Sequence, residues 1–270
     1  MPHETYRTLI EQIALTKSSA TSVFADFCRI SACVLAAQTR EEEYFEAIKP
    51  YSKEELKLFS KALALLIQEA ESNPFADVLG EYYLEVAAHS SKQARGEFYT
   101  PPPVCELMAR ISVDAKATIE RGLPITVNEP ACGAGMMVLA VAKQFSPLVQ
   151  EGDESHVDLL RITCQDINPV ATDMNFINTT LWGIPAKIIL GNSISFETPQ
   201  KIWKNIHWHR VGEDQRQEML QTWKDFKELT SPSRKTTATT SATSQISREF
   251  EQSEFDLDLS ATSEKSSLVR

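Results

Sequence analysis

The stretch NEPACGAGMM, residues 128–137, concentrates side chains and glycines that could do chemistry. Glu129 leads through Pro130, Ala131 and Cys132 into Gly133 and Gly135, and an apolar run follows. Glycines at 133 and 135 let a backbone turn sharply and come close to a ligand. A helix starting behind them would present its first N–H groups unpaired. Glu129 places a negative charge where a pyrophosphate would otherwise sit, which argues for a cationic or neutral ligand. Val138 stands where a dinucleotide loop has its third glycine, so the G-x-G-x-x-G spacing fails and a nicotinamide enzyme is disfavoured.

Two further polar points repay attention. Asp166 falls near the end of RITCQDI (161–167), where a carboxylate can accept hydrogen bonds from two ribose hydroxyls. Asn192 falls at the end of AKIILGN (186–192), where it can bond an adenine edge or simply close a turn. Taken alone, Asp166 can also be read, less readily, as a surface turn acid. Three polar strand ends in register favour a nucleoside pocket.

Those points need elements to hold them. ITVNE (125–129), RITCQDI and AKIILGN are short, β-branched and bounded by polar residues, Gly or Pro, so each predicts a buried strand. MMVLAVAKQF and VATDMNFINTTLWG, which separate them, predict helices. Strand, helix, strand, helix, strand is the signature of a parallel sheet with right-handed crossovers. Residues 128–137 then lie at a strand's carboxyl end, where open parallel sheets bind ligands. The insert at 146–158 reads as an acidic loop.

Upstream, residues 1–90 predict a helical domain. Phe24, Phe27, Ile30, Val34 and Leu35 form one stripe, and Leu56, Phe59, Leu63, Leu66, Ile67 and Ala70 form another. Ser52-Lys-Glu-Glu55 is a capping box, and Pro50 and Asn73-Pro74 punctuate the segment. Beyond residue 90 the chain turns polar and aromatic. Pro101, Pro102 and Pro103 cannot lie inside a helix but can lead into one. Val104, Leu107, Met108 and Ile111 then continue as a helical stripe.

Composition bounds the rest. The chain has 270 residues, 42% hydrophobic and 24% charged, as an ordinary globular protein has. No apolar run approaches the ~20 residues of a membrane span, and the N-terminus lacks a signal peptide's apolar centre. Five cysteines without a CxxC pair suit reduced thiols in a cytoplasm. A net charge of −10 repels nucleic acid on average, so binding DNA requires a local basic patch. His207 and His209 lack a third ligand at metal spacing, and no metal site is expected.

EFYTP (97–101), followed about thirty residues later by EPACGAG (129–135), resembles the adenine-N6 DNA methyltransferases. The nearest likeness is to modification subunits of type I restriction systems and their short phage- or plasmid-borne relatives. It covers residues 75–195 well and 1–75 loosely. The resemblance implies a Rossmann-like α/β core that binds S-adenosylmethionine and a reaction that methylates adenine N6 in DNA. It places Phe98, Tyr99 and Thr100 beside the methionine portion of the cofactor. It assigns Glu129, Pro130, Ala131, Cys132, Gly133 and Gly135 to the cofactor loop, Asp166 to the ribose, and Asn192 to the adenine.

One part of that family's pattern is missing. Its catalytic Asn-Pro-Pro-Tyr/Phe, which holds the target amine and stacks on the flipped base, is not in the sequence. Pro101–Pro103 is in the wrong place, and Asn192-Ser-Ile-Ser and Thr198-Pro199 lack the aromatic partner. Catalytic residues are therefore unassigned. The sequence predicts a truncated sheet whose first strand has a bare edge, covered by residues 194–230 or by a partner chain.

Four segments are expected: a helical domain at 1–90, an S-adenosylmethionine-binding core at 91–200, a Trp- and Lys/Arg-bearing segment at 201–230 packed on that core, and a disordered tail at 231–270. Trp203, Trp208 and Trp223 in the third segment predict a plug over the bare edge in preference to a DNA contact. The tail opens with Ser/Thr repeats and ends in alternating acids and apolar residues (Phe250, Phe255, Leu257, Leu259). Two functions are compatible with this reading: a DNA adenine methyltransferase working with a partner subunit, or an inactive cofactor-binding regulator or scaffold in DNA modification or antirestriction.

Overall fold

The helices begin where the sequence supplies caps. In the computed structural model, which describes residues 4–17, 19–89, 100–195 and 197–212, Thr5 caps α1 (Tyr6–Ala14) and Ser19 caps α2 (Ala20–Leu35). After α3 (Glu41–Ile48) comes α4 (Lys53–Ser72), opened by the expected box: Glu55 N–H donates to Ser52 Oγ at 3.3 Å, and Ser52 N–H donates to the Glu55 carboxylate at 2.8 Å. With α5 (Val78–His89) these helices bury Tyr6, Phe24, Phe27, Phe59 and Tyr82 against one another. Of the two expected stripes, Phe24, Phe27, Phe59, Leu66 and Ala70 are buried. Val34 is exposed.

Pro102 and Pro103 occupy the first turn of α6 (Pro102–Ser112). The expected stripe of Val104, Leu107, Met108 and Ile111 lies on its exposed side, while Cys105 and Ala109 are buried. Small residues let α6 lie close on α8 (Met136–Lys143), and close approach decides which face turns inward. A shorter helix, α7 (Ala115–Arg121), ends at Gly122 in left-handed conformation (φ 64°) and leads into the sheet.

The sheet has order β1-β2-β3-β4, with β1 (Ile125–Glu129), β2 (Leu160–Asp166) and β3 (Ala186–Leu190) parallel. Helix α8 joins the first pair and α9 (Pro169–Leu181) the second, as the alternation of patterns requires. Ile162 pairs with Ala186, and Cys164 with Ile188, on the fully buried face. The opposite face carries Thr163, Gln165 and Lys187, which are half-buried. Strands β2 and β3 are thus buried on one face and half-buried on the other.

The fourth strand, β4 (Lys201–Lys204), was not foreseen. It runs antiparallel to β3, with Trp203 opposite Ile188. This corrects the plug expectation for the described part of 201–230: Trp203 and Trp208 lie on the β3 side of the sheet, the far side from β1. Asn205 fixes the turn out of β4, donating to Ile184 O at 2.8 Å and accepting from Ala186 N–H and Trp208 N–H. Residues 206–212 are helical. The rest of that segment, and the tail at 231–270, fall outside the described residues.

Helical part and sheet share one apolar core within residues 1–216. A buried ionic joint links them. Arg40, at the start of α3, donates from Nη2 to Asp173 of α9 at 2.8 Å and to Glu43 at 3.1 Å. Its guanidinium lies 4.2 Å from the Trp203 ring centre. Burial would raise Glu43, but bonds from Lys201, Trp203 and Arg40 outweigh it and hold the carboxyl at about 2.

Candidate cofactor site

The loop after β1 is tied to the end of β2 by two short links. Cys132 N–H donates to Gln165 O at 2.9 Å, and Gly133 N–H donates to Asp166 Oδ2 at 2.9 Å. Gly135 N–H folds back onto Cys132 O at 2.9 Å. Gly133 (φ 51°) and Gly135 (φ 103°) hold the left-handed backbone this turn needs, which is what their place in the sequence suggested. Glu129 accepts from Ala131 N–H at 3.2 Å, and Asp166 Oδ1 accepts from Asn168 N–H at 2.9 Å. A carboxylate has about four acceptor positions, so Asp166 retains capacity toward the cavity it lines.

Beneath the loop lies a buried polar layer. Asn178 of α9 donates to Ala134 O at 2.9 Å and to Asp77 Oδ1 at 3.0 Å, and Asp77 also accepts from Gly80 N–H at 2.9 Å. Burial pushes Asp77 up to about 6 despite these bonds. Asn175, fully buried one turn earlier on α9, stands against Gly135: a Cβ there would lie 2.8 Å from its Nδ2. None of these residues was singled out from sequence. Their signal was the three-residue spacing of Asp77 and Gly80, and of Asn175 and Asn178 on one helix.

The loop, β2 and α6 enclose a cavity of about 530 Å³. Of the residues picked from sequence, Thr100, Glu129, Ala131, Cys132, Gly133 and Asp166 line it. Pro130 and Gly135 shape the turn without lining it. Asn192 lies apart, exposed, with its Oδ1 accepting from Ile194 N–H at 2.9 Å. Phe98 and Tyr99 fall outside the described residues. Met108, Met136, Met137 and Ile167 supply apolar walls that the sequence reading did not assign. A hydrogen bond with Cys164, together with burial, holds the Cys132 thiol far above its ordinary range, and burial raises Cys105. Both are neutral wall groups, not nucleophiles. Among the described residues no cluster of His, Cys, Asp or Glu could hold a metal.

A model of the N-6 DNA methylase family matches residues 72–211, more than half the chain and all of this site's floor. The chain belongs to the N-6 DNA methylase family. It is also 26% identical over 162 residues to the type I restriction enzyme MpnII methylase subunit of Mycoplasma pneumoniae, covering 53% of this chain and 29% of that protein. The chain thus spans less than a third of this curated relative. Two solved structures resemble it distantly. One, from Listeria monocytogenes and described as a class I S-adenosylmethionine-dependent methyltransferase, has TM-score 0.40 at 13% identity, with 71% of this chain and 54% of that one covered. The other, the type I restriction-modification methyltransferase subunit of Streptococcus thermophilus, has TM-score 0.37 at 19% identity, with coverage of 73% and 41%.

S-adenosylmethionine is the cofactor of this member of the family, and the cavity suits it. Two carboxylates, Glu129 and Asp166, flank the turn, so the donor set favours a cationic ligand with hydroxyls over a pyrophosphate. The methionine side chains offer soft apolar contact to a thioether-like chain. When bound, the cofactor supplies an electrophilic methyl group. The chain's own residues hold the loop backbone in shape and present acceptors on one wall.

Among the described residues there is no strand on the outer edge of β1, and none carries the Asn-Pro-Pro signature. No described helix is long and apolar enough to cross a membrane.

Proposed function

We propose that this chain is the cofactor-binding part of a DNA adenine-N6 methyltransferase, with the groups that hold the target base contributed by residues beyond those described or by a partner subunit. The supporting observation is the link from Gly133 N–H to Asp166, which joins the β1 loop and the β2 acid into one pocket. In this reading Glu129, Pro130, Ala131, Cys132, Gly133 and Gly135 form the loop, and Asp166 takes the ribose hydroxyls. Phe98, Tyr99 and Thr100 flank the methionine portion, and Asn192 approaches the adenine after releasing its turn bond. Sequence choice comes from another chain, and residues 201–230 or that partner meet DNA. The protein works in the cytoplasm, and its segments are those drawn at 1–90, 91–200, 201–230 and 231–270.

A second reading has a specific observation in its favour. Because β4 turns to the far side of β3, no described strand pairs with the outer edge of β1 to hold a target amine. That favours a binding module that keeps the cofactor and has lost transfer, acting as regulator or scaffold in DNA modification or antirestriction. The deciding experiment is transfer from methyl-labelled cofactor to unmethylated DNA, beside a cofactor titration by calorimetry. Transfer by the chain, alone or with cell extract, supports the enzyme. Binding without transfer in either condition supports the module. Absence of binding, or binding unaltered by Gly133→Arg, refutes both.

A further inference from the structure

Arg40 is buried to 1% of its side-chain surface, yet three of its five N–H groups, on Nε and Nη1, meet no partner. Only Nη2 is engaged, by Asp173 and Glu43. The guanidinium lines a second cavity of about 300 Å³, separate from the cofactor pocket, with Trp203 and the first turn of α9 among its walls. Arg29 and Lys201 line it too. Arg29 makes no hydrogen bond or ion pair to another described residue.

Three carboxylates face these cations, so the wall is close to neutral: Asp26, Glu43 and Asp173. Each already accepts at least one hydrogen bond. Asp26 accepts from Tyr51 at 2.6 Å, Glu43 from Arg40, Lys201 and Trp203, and Asp173 from Arg40. The donors left without a hydrogen-bond partner among the described residues are those on Nε and Nη1 of Arg40 and the guanidinium of Arg29. Two guanidinium groups lining one small cavity suit an oxyanion, and Arg is the residue type best matched to phosphate. The N-terminal turn of α9, a 13-residue helix, adds a favourable dipole.

We propose that this cavity binds a single phosphate group, belonging either to a nucleic-acid backbone or to a small phosphorylated molecule. The site is independent of the cofactor reading. It lies on the β3–β4 side of the sheet, away from β1, and shares no residue with the cofactor cavity.

Trp203 forms one wall, so its fluorescence is the readout. The full chain is titrated with inorganic phosphate against chloride at matched ionic strength. Saturable binding is expected, weakened about fivefold or more by Arg29→Gln. Arg121→Gln, at the exposed end of α7, is expected to leave it unchanged. S-adenosylmethionine affinity measured on the same samples is expected to be equal in wild type and Arg29→Gln, which keeps failure of this site apart from failure of the cofactor pocket. A mononucleotide and a single-stranded oligonucleotide form two further arms. Stronger binding by either, lost in Arg29→Gln, supports the site and names its source. No binding of any probe by about 10 mM, or equal binding by Arg29→Gln, overturns the proposal.

Discussion

Gly135→Ala tests the cofactor loop most directly. Gly135 has φ 103° and ψ 16°, and a non-glycine residue held left-handed costs about 1–2 kcal/mol. The new Cβ would also stand 2.8 Å from Asn175 Nδ2 and 3.3 Å from its Cγ. Asn175 is fully buried on α9 and cannot swing into solvent, so it must leave its rotamer, for about 0.5–1.5 kcal/mol more. The sum is about 1.5–3.5 kcal/mol, a sizeable share of the roughly 5–15 kcal/mol that holds a domain together.

The two terms can be separated by a double-mutant cycle. Asn175→Ala removes the obstructing amide but leaves the backbone requirement. Gly135→Ala made in that background is expected to cost about 1 kcal/mol less than in wild type. Urea unfolding of the four proteins gives the energies, and calorimetric titration gives cofactor affinity, expected to fall more than about tenfold in Gly135→Ala. A cost below about 0.5 kcal/mol would refute the left-handed turn at 135. A cost untouched by Asn175→Ala would show that the amide is not the obstacle.

The remaining predictions use the polar layer and the ionic joint. Asp77, raised by burial to about 6 from 3.8, binds its proton more tightly folded than unfolded. Stability is therefore lost as pH rises from 3.8 through 6, by about 3 kcal/mol in all. Asp77→Asn keeps acceptance from Gly80 and Asn178, so it is expected to stabilise the chain at pH 8 and flatten its unfolding free energy over that window. Arg40→Met strands the Asp173 carboxylate in the interior and should cost about 3–5 kcal/mol in chemical unfolding, with partial recovery on adding Asp173→Asn. Asp166→Asn keeps an acceptor for only one of its two backbone donors, Gly133 N–H and Asn168 N–H, so it should cost about 1–2 kcal/mol of stability while cofactor affinity falls about tenfold or more. Equal affinity would count against the ribose assignment.

Much of the core was legible because its signals are local. Short β-branched runs, two glycines at a strand's end and the Ser52–Glu55 box each declare a conformation within a few residues. Pairing is not local. KIWK, four residues at 201–204, carries nothing that says which edge of the sheet it will join, so β4 and the side taken by Trp203 could not be read. Nor does periodicity reveal what covers a stripe: Val104, Leu107, Met108 and Ile111 repeat as a core face would, but Cys105 and Ala109 allow the closer approach and win. Asp77, Asn175 and Asn178 escaped because polar residues are expected outside. Only their geometry against the loop shows why they are buried.

The direction in which the sheet grows bears on function more than any single residue. Open parallel sheets form their ligand crevice where strand order reverses, because the two connections there leave on opposite faces. Among the described residues the order runs β1, β2, β3 without reversal, and β4 extends it further the same way. The pocket at β1 and β2 therefore has one wall from this sheet, built of Glu129, Asp166 and the loop between them. A further strand wall would have to pair with the outer edge of β1, which no described strand occupies. Holding the cofactor and holding the target base thus become physically separate tasks: the first draws on β1, β2 and the buried layer beneath the loop, and the second on whatever adds to β1. Loop and polar-layer variants should accordingly move cofactor affinity in the isolated chain. Changes at the edge of β1 should act on methyl transfer while leaving that affinity intact.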